Sequence, residues 1–328
     1  MKLATLNDGS RDGCLIVVSK NLKTGFKVES ICPSLIVALE NWGKTKDLLE
    51  SVYTDLNNNN IKKNFRIDST KLLSPLPRCY QWLDGSAYLS HVKRVRKARN
   101  AQMPDSFLTD PLMYQGNSDS FLSPYENLPL IDEEWGADFE SEVAIITDDT
   151  PMNCSSTNAK DHICLLMLVN DYSLRNLIPA ELAKGFGFIH GKPSGSFSPV
   201  AVTPDELGDS WKDCKIHLPV KTWLNDNLFG EPNAGKDMQF GFDTLVSHAS
   251  KTRSLSAGTI IGSGTVSNED ESVGASCLVE KRVIEIAKYG ETRTPFLRFG
   301  DKVKIEMCNA NGDSIFGAIE QKVTKWIK

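Results

Sequence analysis

The chain has 328 residues, of which 40% are hydrophobic and 24% charged, and its formal net charge at pH 7 is -5. This length suits one large or two modest domains with a buried core, and the mild acidity argues against a nucleic-acid partner, which requires a basic face. No apolar run approaches the roughly 20 residues that a membrane-spanning helix needs. We therefore expect a globular protein that binds neither nucleic acid nor membrane.

The cysteines and the N-terminal residues indicate the compartment. The chain contains 8 cysteines, scattered without any C-x-x-C pair, which argues against a structural zinc site. Residues 1–9 lack the apolar segment of a secretory signal. Together these features predict reduced thiols and a cytoplasmic location.

The N-terminal part predicts a small α+β unit. Strands over 3–6, 14–19 and 26–29 alternate with turns, and two helices follow, one capped by Ser34 and one starting at Lys46. A proline-punctuated connection over 73–78 is the best candidate for a boundary. We predict a structural or interface domain over 1–76 and a larger domain over 77–328.

The larger part begins with a predicted helix that is capped by Ser86 and extends to Arg99. The irregular segment from Met103 to Pro129 is long enough to form a site or a lid. Short strands and glycine-rich loops dominate from Pro199 onward, interrupted by a helix over 242–250. The predicted fold class is α+β and rich in strands.

An acidic strand carries the first candidate site. Glu140 and Glu142 are two residues apart and run into an apolar β-type stretch, so both should face one side. Asp171 ends a second buried-strand pattern. Adjacent carboxylates repel unless a proton or cation lies between them, and an oxygen-only set favours Mg²⁺ or Ca²⁺, with Mn²⁺ as a further option. The alternative is a solvated acidic strand edge without a ligand.

A histidine joins this candidate site. His91 follows Asp84 by seven residues, about two helical turns, so a helix that reached back to Asp84 would direct both toward one cleft. Serine-nucleophile chemistry finds no support because the chain has no G-x-S-x-G elbow.

Several separated motifs resemble those of the fumarylacetoacetate hydrolase (fumarylacetoacetase) family, over roughly residues 80–328. The matching segments share the order and spacing of the family's patterns: Asp84 with His91, the tyrosine-glycine loop at Tyr114, E-x-E at 140–142, N-D-x-S-x-R at 170–175, the G-K loop at 191–199 and G-S-G-T at 262–267. This resemblance implies a mixed β-roll catalytic domain, usually a homodimer, with one divalent metal in each site.

The resemblance also implies a reaction, the hydrolytic cleavage of a carbon–carbon bond in a diketo or 2-oxo acid, with fumarylacetoacetate as the leading substrate. His91 would activate water, and Lys192 and Arg175 would stabilise the departing enolate. Tyr114 and Thr265 would contact substrate oxygens. The metal ligands carried over are Asp84, Glu140, Glu142 and Asp171.

Some positions depart from the family pattern. Ile178 stands where fumarylacetoacetase proper has a glutamine, and the glutamate that partners the histidine has three candidates, Glu269, Glu271 and Glu280. The alternatives are acylpyruvate hydrolysis, 2-oxo-acid hydration and oxaloacetate decarboxylation on the same fold. Alternatives of another class are a catalytically silent module that binds metal and a small acid, and a structural calcium site. Asp138 shares the period-two face but has no ligand role in the family, so we expect it behind the ligands or on the surface.

Overall fold

The structure is a computed structural model, and it describes residues 1–98 and 104–327. The strands are β1 (Lys2–Leu6), β2 (Cys14–Val18), β3 (Thr24–Lys27), β4 (Phe65–Arg66), β5 (Leu72–Leu73), β6 (Trp82–Gly85), β7 (Met113–Gly116), β8 (Leu128–Leu130), β9 (Ala137–Asp138), β10 (Ser141–Thr147), β11 (Ile163–Asn170), β12 (Ser173–Leu174), β13 (Ser196–Phe197), β14 (Val200–Val202), β15 (Trp211–Lys212), β16 (Lys215–Ile216), β17 (Lys221–Leu224), β18 (Asn227–Gly230), β19 (Ile260–Gly262), β20 (Lys302–Glu306) and β21 (Ile319–Lys325). The helices are α1 (Leu35–Glu40), α2 (Trp42–Asn57), α3 (Leu89–Ala98), α4 (Ser156–Ala159), α5 (Ile178–Leu182), α6 (Phe242–Ala249) and α7 (Leu278–Tyr289).

Strands β10 and β11 form the centre of the main sheet, where they pair antiparallel and are buried along their whole length. Their side chains alternate between two apolar layers. Val143 and Ile145 belong to one layer, and Ala144 and Ile146 belong to the other. Because both faces of the sheet are covered, these strands are continuous apolar runs in the sequence rather than alternating ones.

The main sheet runs in the order β4-β3-β2-β1-β14-β11-β10-β19-β6-β7. The β19–β6 pair is parallel, and the other neighbours on this path are antiparallel. The N-terminal strands join the same sheet as the later strands, through the β1–β14 pair. The predicted boundary between 76 and 77 stays a prediction.

A second sheet has the order β18-β17-β20-β21-β8. A turn over 311–313 lies between β20 and β21, which pair antiparallel. Gly312 there has φ +86°, a left-handed conformation that favours glycine because a side chain would be strained. The two sheets confirm the predicted α+β, strand-rich fold class.

The N-terminal elements agree with the prediction except in their details. The three predicted strands are β1, β2 and β3. Ser34 occupies the position before α1, but its side chain makes no capping hydrogen bond. The second helix begins at Trp42 rather than Lys46, because one turn at Asn41 is enough to separate it from α1.

Two predictions about helices in the larger part were wrong in their bounds, and three helices were missed. Helix α3 begins at Leu89, not after Ser86, and Asp84 lies on strand β6; Arg99 and Met103 lie outside the described residues. Helix α6 ends at Ala249, and α4, α5 and α7 were not predicted. Among the helices of residues 1–98 and 104–327, none has the length and apolar character needed to cross a bilayer.

Candidate active site

Three buried carboxylates converge on the main sheet. Asp84 lies on β6, Glu142 on β10 and Asp171 directly after β11. Strands β6 and β10 both pair with β19, and Gly262 of β19 lies opposite Asp84. A larger residue at Gly262 would collide with the Asp84 carboxylate, so glycine leaves room for it. One oxygen from each of the three carboxylates lies within 4.8 Å of the others, and we call this group the carboxylate cluster.

The carboxylate cluster is strongly desolvated. The exposed fraction is 0% for Glu142, 2% for Asp171 and 5% for Asp84. Burial and the charges of the other two carboxylates raise the pKa of Glu142 well above its ordinary value. Burial and the charge of Asp171 do the same for the pKa of Asp84. Both Glu142 oxygens are buried and accept no hydrogen bond from the described residues. Such a group needs a proton or a cation between its carboxylates, and its oxygen-only donors fit a hard divalent cation.

Glu140, the fourth predicted metal ligand, makes different contacts. Its Oε2 accepts a hydrogen bond from Lys192 Nζ at 2.8 Å, and its Oε1 forms an ion pair with the Arg175 guanidinium. Burial acts to raise the pKa of Glu140, but the charges of Arg175 and Lys192 outweigh burial and hold that pKa below its ordinary range. In this structure Glu140 therefore balances two cations beside the carboxylate cluster, and a ligand role for it stays a prediction.

Lys192 and Tyr114 both reach the same oxygen of the carboxylate cluster. The Lys192 ammonium forms an ion pair with Asp171 Oδ2, and the Tyr114 hydroxyl donates to that oxygen at 2.7 Å. Burial acts to lower the pKa of Lys192, yet the charges of Asp171 and Glu140 raise it above its ordinary value. Lys192 is therefore a fixed positive charge at this site.

His91 forms a pair with Glu280, one of the three glutamates that the sequence left open. His91 Nδ1 lies 2.7 Å from Glu280 Oε2, and Arg94 and Ser267 donate to Glu280 Oε1 at 2.7 and 2.9 Å. Burial acts to raise the pKa of Glu280, but the hydrogen bond from His91 and the charges of His91 and Arg94 outweigh it, so the pKa lies below its ordinary value. A charged carboxylate that is hydrogen-bonded to Nδ1 leaves the other ring nitrogen of His91, Nε2, available to accept a proton.

Asp138 positions Arg175 and the helix that carries Glu280. It is fully buried, which excludes the surface location and leaves the other one predicted, behind the candidate ligands. Its Oδ2 accepts from Arg175 Nε at 2.8 Å, and its two oxygens also accept from Leu278 N at 2.7 Å and Val279 N at 3.0 Å. These two amides begin α7, whose first turn favours negative charge. Asp138 therefore positions both the Arg175 side chain and the helix that carries Glu280.

The candidate groups open on a cleft of about 280 Å³. Its lining includes seven of the predicted site residues, namely Asp84, His91, Tyr114, Glu140, Arg175, Lys192 and Thr265. Gly264 supports the arrangement, since its N–H donates to Asp84 Oδ1 at 3.0 Å. Apolar side chains of α3 and α5 line another wall of this cleft. The structure thus brings the carboxylate cluster, the charged side chains of Arg175 and Lys192, and the His91–Glu280 pair to or beside one small cleft.

Two sequence families match the chain. Residues 81–324 match the family described as fumarylacetoacetate (FAA) hydrolase C-terminal, and residues 1–78 match fumarylacetoacetase N-terminal domain 2. The chain is 26% identical to an oxaloacetate tautomerase, YisK, of Bacillus subtilis over 74% of this chain and 71% of that one. It is 24% identical to a fumarylacetoacetase of Dictyostelium discoideum over 96% and 91% of the two chains.

The fold has solved counterparts. Maleylpyruvate hydrolase from Sphingobium sp. SYK-6, solved in complex with manganese(II) and pyruvate, superposes with a TM-score of 0.65 at 18% identity and covers 100% of both chains. At that identity the likeness concerns the fold. The relatives named above are a fumarylacetoacetase and an oxaloacetate tautomerase. The sequence match over residues 81–324 establishes that the chain belongs to the fumarylacetoacetate hydrolase family.

Proposed function

We propose that this protein is a divalent-metal-dependent hydrolase that cleaves a carbon–carbon bond in a diketo acid, with fumarylacetoacetate as the leading substrate and fumarate and acetoacetate as products. The observation that carries the proposal is the pair of His91 and Glu280, 2.7 Å apart, beside the carboxylate cluster. Hydrolysis requires an activated water next to a polarised carbonyl. A histidine held by a buried carboxylate is suited to the first task.

Asp84, Glu142 and Asp171 would hold the cation, and Glu140 would be the fourth ligand that the resemblance implies. The orphaned oxygens of Glu142 support this assignment. When bound, a divalent cation, Mg²⁺ first and Ca²⁺ or Mn²⁺ otherwise, supplies Lewis-acid polarisation of a 1,3-dicarbonyl. The manganese in the maleylpyruvate hydrolase structure supports divalent-metal binding in this fold.

His91 would take a proton from water on the ring nitrogen that Glu280 leaves available. The water oxygen then adds to the acyl carbonyl carbon of the substrate. The neighbouring carbon–carbon bond breaks, its electron pair passes into the enolate of the leaving fragment, and the enolate carbon finally takes up a proton. Arg175 and Lys192 line the cleft and would balance the negative charge that develops. Tyr114 and Thr265 would contact substrate oxygens.

Acylpyruvate hydrolysis is the second candidate, and the apolar wall of the cleft favours it. Ile178 stands where fumarylacetoacetase proper has a glutamine, and Leu182 and Phe188 extend the same wall. An apolar wall binds an apolar acyl group better than the carboxylate at the fumaryl end of fumarylacetoacetate. The bond broken and the roles of His91 and Glu280 are unchanged.

Turnover of a panel of diketo and 2-oxo acids with Mg²⁺ or Mn²⁺ tests both candidates. We expect the wild type to cleave at least one diketo acid and His91→Ala to lose about 10²- to 10⁴-fold in rate, while metal still raises the melting temperature of both proteins. Absence of diketo-acid cleavage with either metal would sink the hydrolase proposal. If metal and acids only raise the melting temperature, the protein is a binding module, and if only oxaloacetate tautomers interconvert, it is a tautomerase.

We also propose that the protein is a cytoplasmic homodimer with domains over 1–76 and 77–328. The family resemblance supports the dimer. All eight cysteines lie in the described part of the chain, and each is a free thiol, which supports a reducing compartment. Light scattering of the purified protein tests the dimer, and expression of 77–328 alone tests the boundary.

A further inference from the structure

A second group of metal-ligating side chains lies beside the carboxylate cluster and differs from it in chemistry. His91, Cys277 and Glu280 each offer one ligand atom, and these three atoms lie within 4.8 Å of one another. Cys277 and Glu280 are buried, whereas the His91 side chain is 18% exposed. His91 also lines the cleft. Access to this group is therefore through the cleft, along His91.

The two groups suit different cations. Three carboxylates suit a hard cation such as Mg²⁺, but imidazole, thiolate and carboxylate together are ligands that Zn²⁺ prefers. Zinc bonds of about 2.0 to 2.3 Å in a tetrahedral site bring ligand atoms to about 3.5 Å from one another. The 2.7 Å between His91 Nδ1 and Glu280 Oε2 would have to widen by about 0.8 Å, and separations of up to 4.8 Å would have to shorten by up to about 1.3 Å.

We propose that His91, Cys277 and Glu280 form an inhibitory site for Zn²⁺, separate from the carboxylate cluster. The proton that His91 Nδ1 and Glu280 Oε2 share moves to Nε2 of the same ring, the cation takes its place, and Cys277 Sγ becomes the third ligand once its thiol proton is released. Binding therefore releases one proton to solvent and leaves Nε2 protonated, so that it cannot accept a proton from water, and no oxidation or reduction is involved. The loss of activity rests on the proposed role of His91 as the base, but the metal site itself does not.

Two features of the surroundings act against binding of the cation. Burial, and then the charge of Asp138, raise the pKa of the Cys277 thiol well above its ordinary value, so Zn²⁺ must displace a firmly held proton. Arg94, which donates to Glu280 at 2.7 Å, also opposes an additional cation.

The Cys277→Ser variant removes the proposed zinc ligand without disturbing the fold. Cys277 precedes α7, and its sulfur accepts from the Glu280 N–H at 3.4 Å. A serine hydroxyl is a favoured helix cap, so the variant keeps α7 and the His91–Glu280 pair, but it lacks the thiolate. Cys308→Ser is the matched control, because it removes a partly exposed thiol from another part of the molecule.

The test uses the full chain with saturating Mg²⁺ and adds Zn²⁺ while hydrolysis of a cleaved diketo acid is followed. We expect Zn²⁺ to inhibit the wild type and Cys308→Ser at the same concentration. Inhibition of Cys277→Ser should require a Zn²⁺ concentration at least about tenfold higher. In parallel, Cd²⁺ replaces Zn²⁺ as a spectroscopic probe. Its ultraviolet thiolate charge-transfer band should appear in the wild type and Cys308→Ser and be absent from Cys277→Ser.

Equal Zn²⁺ inhibition of all three proteins would place the effect at the carboxylate cluster or elsewhere and overturn the proposal. A Cd²⁺ band that survives in Cys277→Ser would also overturn it. If the wild type cleaves no diketo acid, the proposed function fails, yet the Cd²⁺ band still decides whether the metal site exists.

Discussion

Replacing Glu142 with Gln should stabilise the metal-free protein, although the residue is buried in the core of the site. Glutamine has nearly the same shape and removes a charge that faces Asp84 and Asp171. Its amide can also donate a hydrogen bond to either of them. The same change should abolish most of the stabilisation that a divalent cation provides, because one ligand oxygen loses its charge.

The size of the effect follows from the geometry of the carboxylate cluster. Two unit charges at 4.8 Å, the upper limit of the separations in the cluster, repel by about 3.5 kcal/mol at an effective dielectric constant of about 20. Protonation relieves the repulsion, but holding a glutamic acid protonated at pH 7 costs at most about 3.7 kcal/mol relative to its ordinary pKa of about 4.3. Lys192 already offsets part of this repulsion, so we expect a gain of about 2 kcal/mol, or about 3 °C in melting temperature.

The sign of the pH dependence is fixed by the raised pKa of Glu142. The folded state holds the Glu142 proton more tightly than the unfolded state does. The destabilisation of the wild type by Glu142 is therefore absent below the ordinary glutamate pKa and grows as the pH rises toward the pKa of Glu142 in the folded state. After treatment with a chelator, the melting temperatures of the wild type and Glu142→Gln should therefore differ most at about pH 7.5 and least at about pH 4.5. Added Mn²⁺ should raise the wild-type value and leave the variant nearly unchanged.

Glu320→Gln is the matched control, since it removes an exposed carboxylate from β21 and should alter neither the metal-free stability nor the response to Mn²⁺. The reasoning is refuted if the metal-free Glu142→Gln protein melts at or below the wild-type temperature at about pH 7.5. It is also refuted if Mn²⁺ stabilises the variant as much as it stabilises the wild type.

Three further substitutions test the supporting contacts. Asp138→Asn should lower the free energy of unfolding in urea by about 3 kcal/mol, because Arg175 loses a buried partner; a loss below about 1 kcal/mol would mean that the pair contributes little. Gly264→Ala should weaken Mn²⁺ binding in calorimetry, since Gly264 has φ +76° and a Cβ there would strike Gly85; unchanged affinity would contradict this. Glu280→Gln should destabilise by about 1 to 3 kcal/mol. Because the pKa of Glu280 is lowered, its contribution is complete above about pH 4.3 and disappears as the pH falls through the folded pKa. Urea unfolding near pH 3 and pH 7 should therefore show a smaller difference from wild type at the lower pH, and an equal difference would refute this assignment.

Local periodicity predicted much of the fold and part of the site. Val143 to Ile146 are recognisable as a strand because an apolar run this short, bounded by polar residues, is typical of a sheet covered on both faces. Asp171 was recognised because it ends the next such run. In both cases the signal lies within a few residues of the group concerned.

The partner of His91 depended on tertiary structure. His91 and Glu280 are separated by 189 positions, and helix α7 brings them together. The sequence carried signals for that helix, notably the acidic first turn at Glu280 and Gly290, which ends α7 in a left-handed conformation. Its β-branched residues are equally typical of a strand, and Cys277 is an uncommon cap, so the helix was missed.

Asp138 shows where the period-two argument ends. Asp138 and Glu140 would share a face only in one continuous strand. Strands β9 and β10 are separate, however, since β9 pairs with β12 whereas β10 pairs with β11. Asp138 therefore contacts Arg175 and α7. The seven-residue spacing of Asp84 and His91 had a similar outcome, since a strand followed by a helix, not one helix, brings both to the cleft.

The measurement that tests the central claim most directly is cleavage in water enriched in ¹⁸O with saturating Mg²⁺ or Mn²⁺, followed by mass spectrometry of both products. If His91 and Glu280 activate water for carbon–carbon cleavage, the carboxylate formed from the acyl fragment gains one ¹⁸O atom, and His91→Ala forms this product at least about 100-fold more slowly. Tautomer interconversion without labelled fragments, or equal labelling rates in wild type and His91→Ala, would contradict the account.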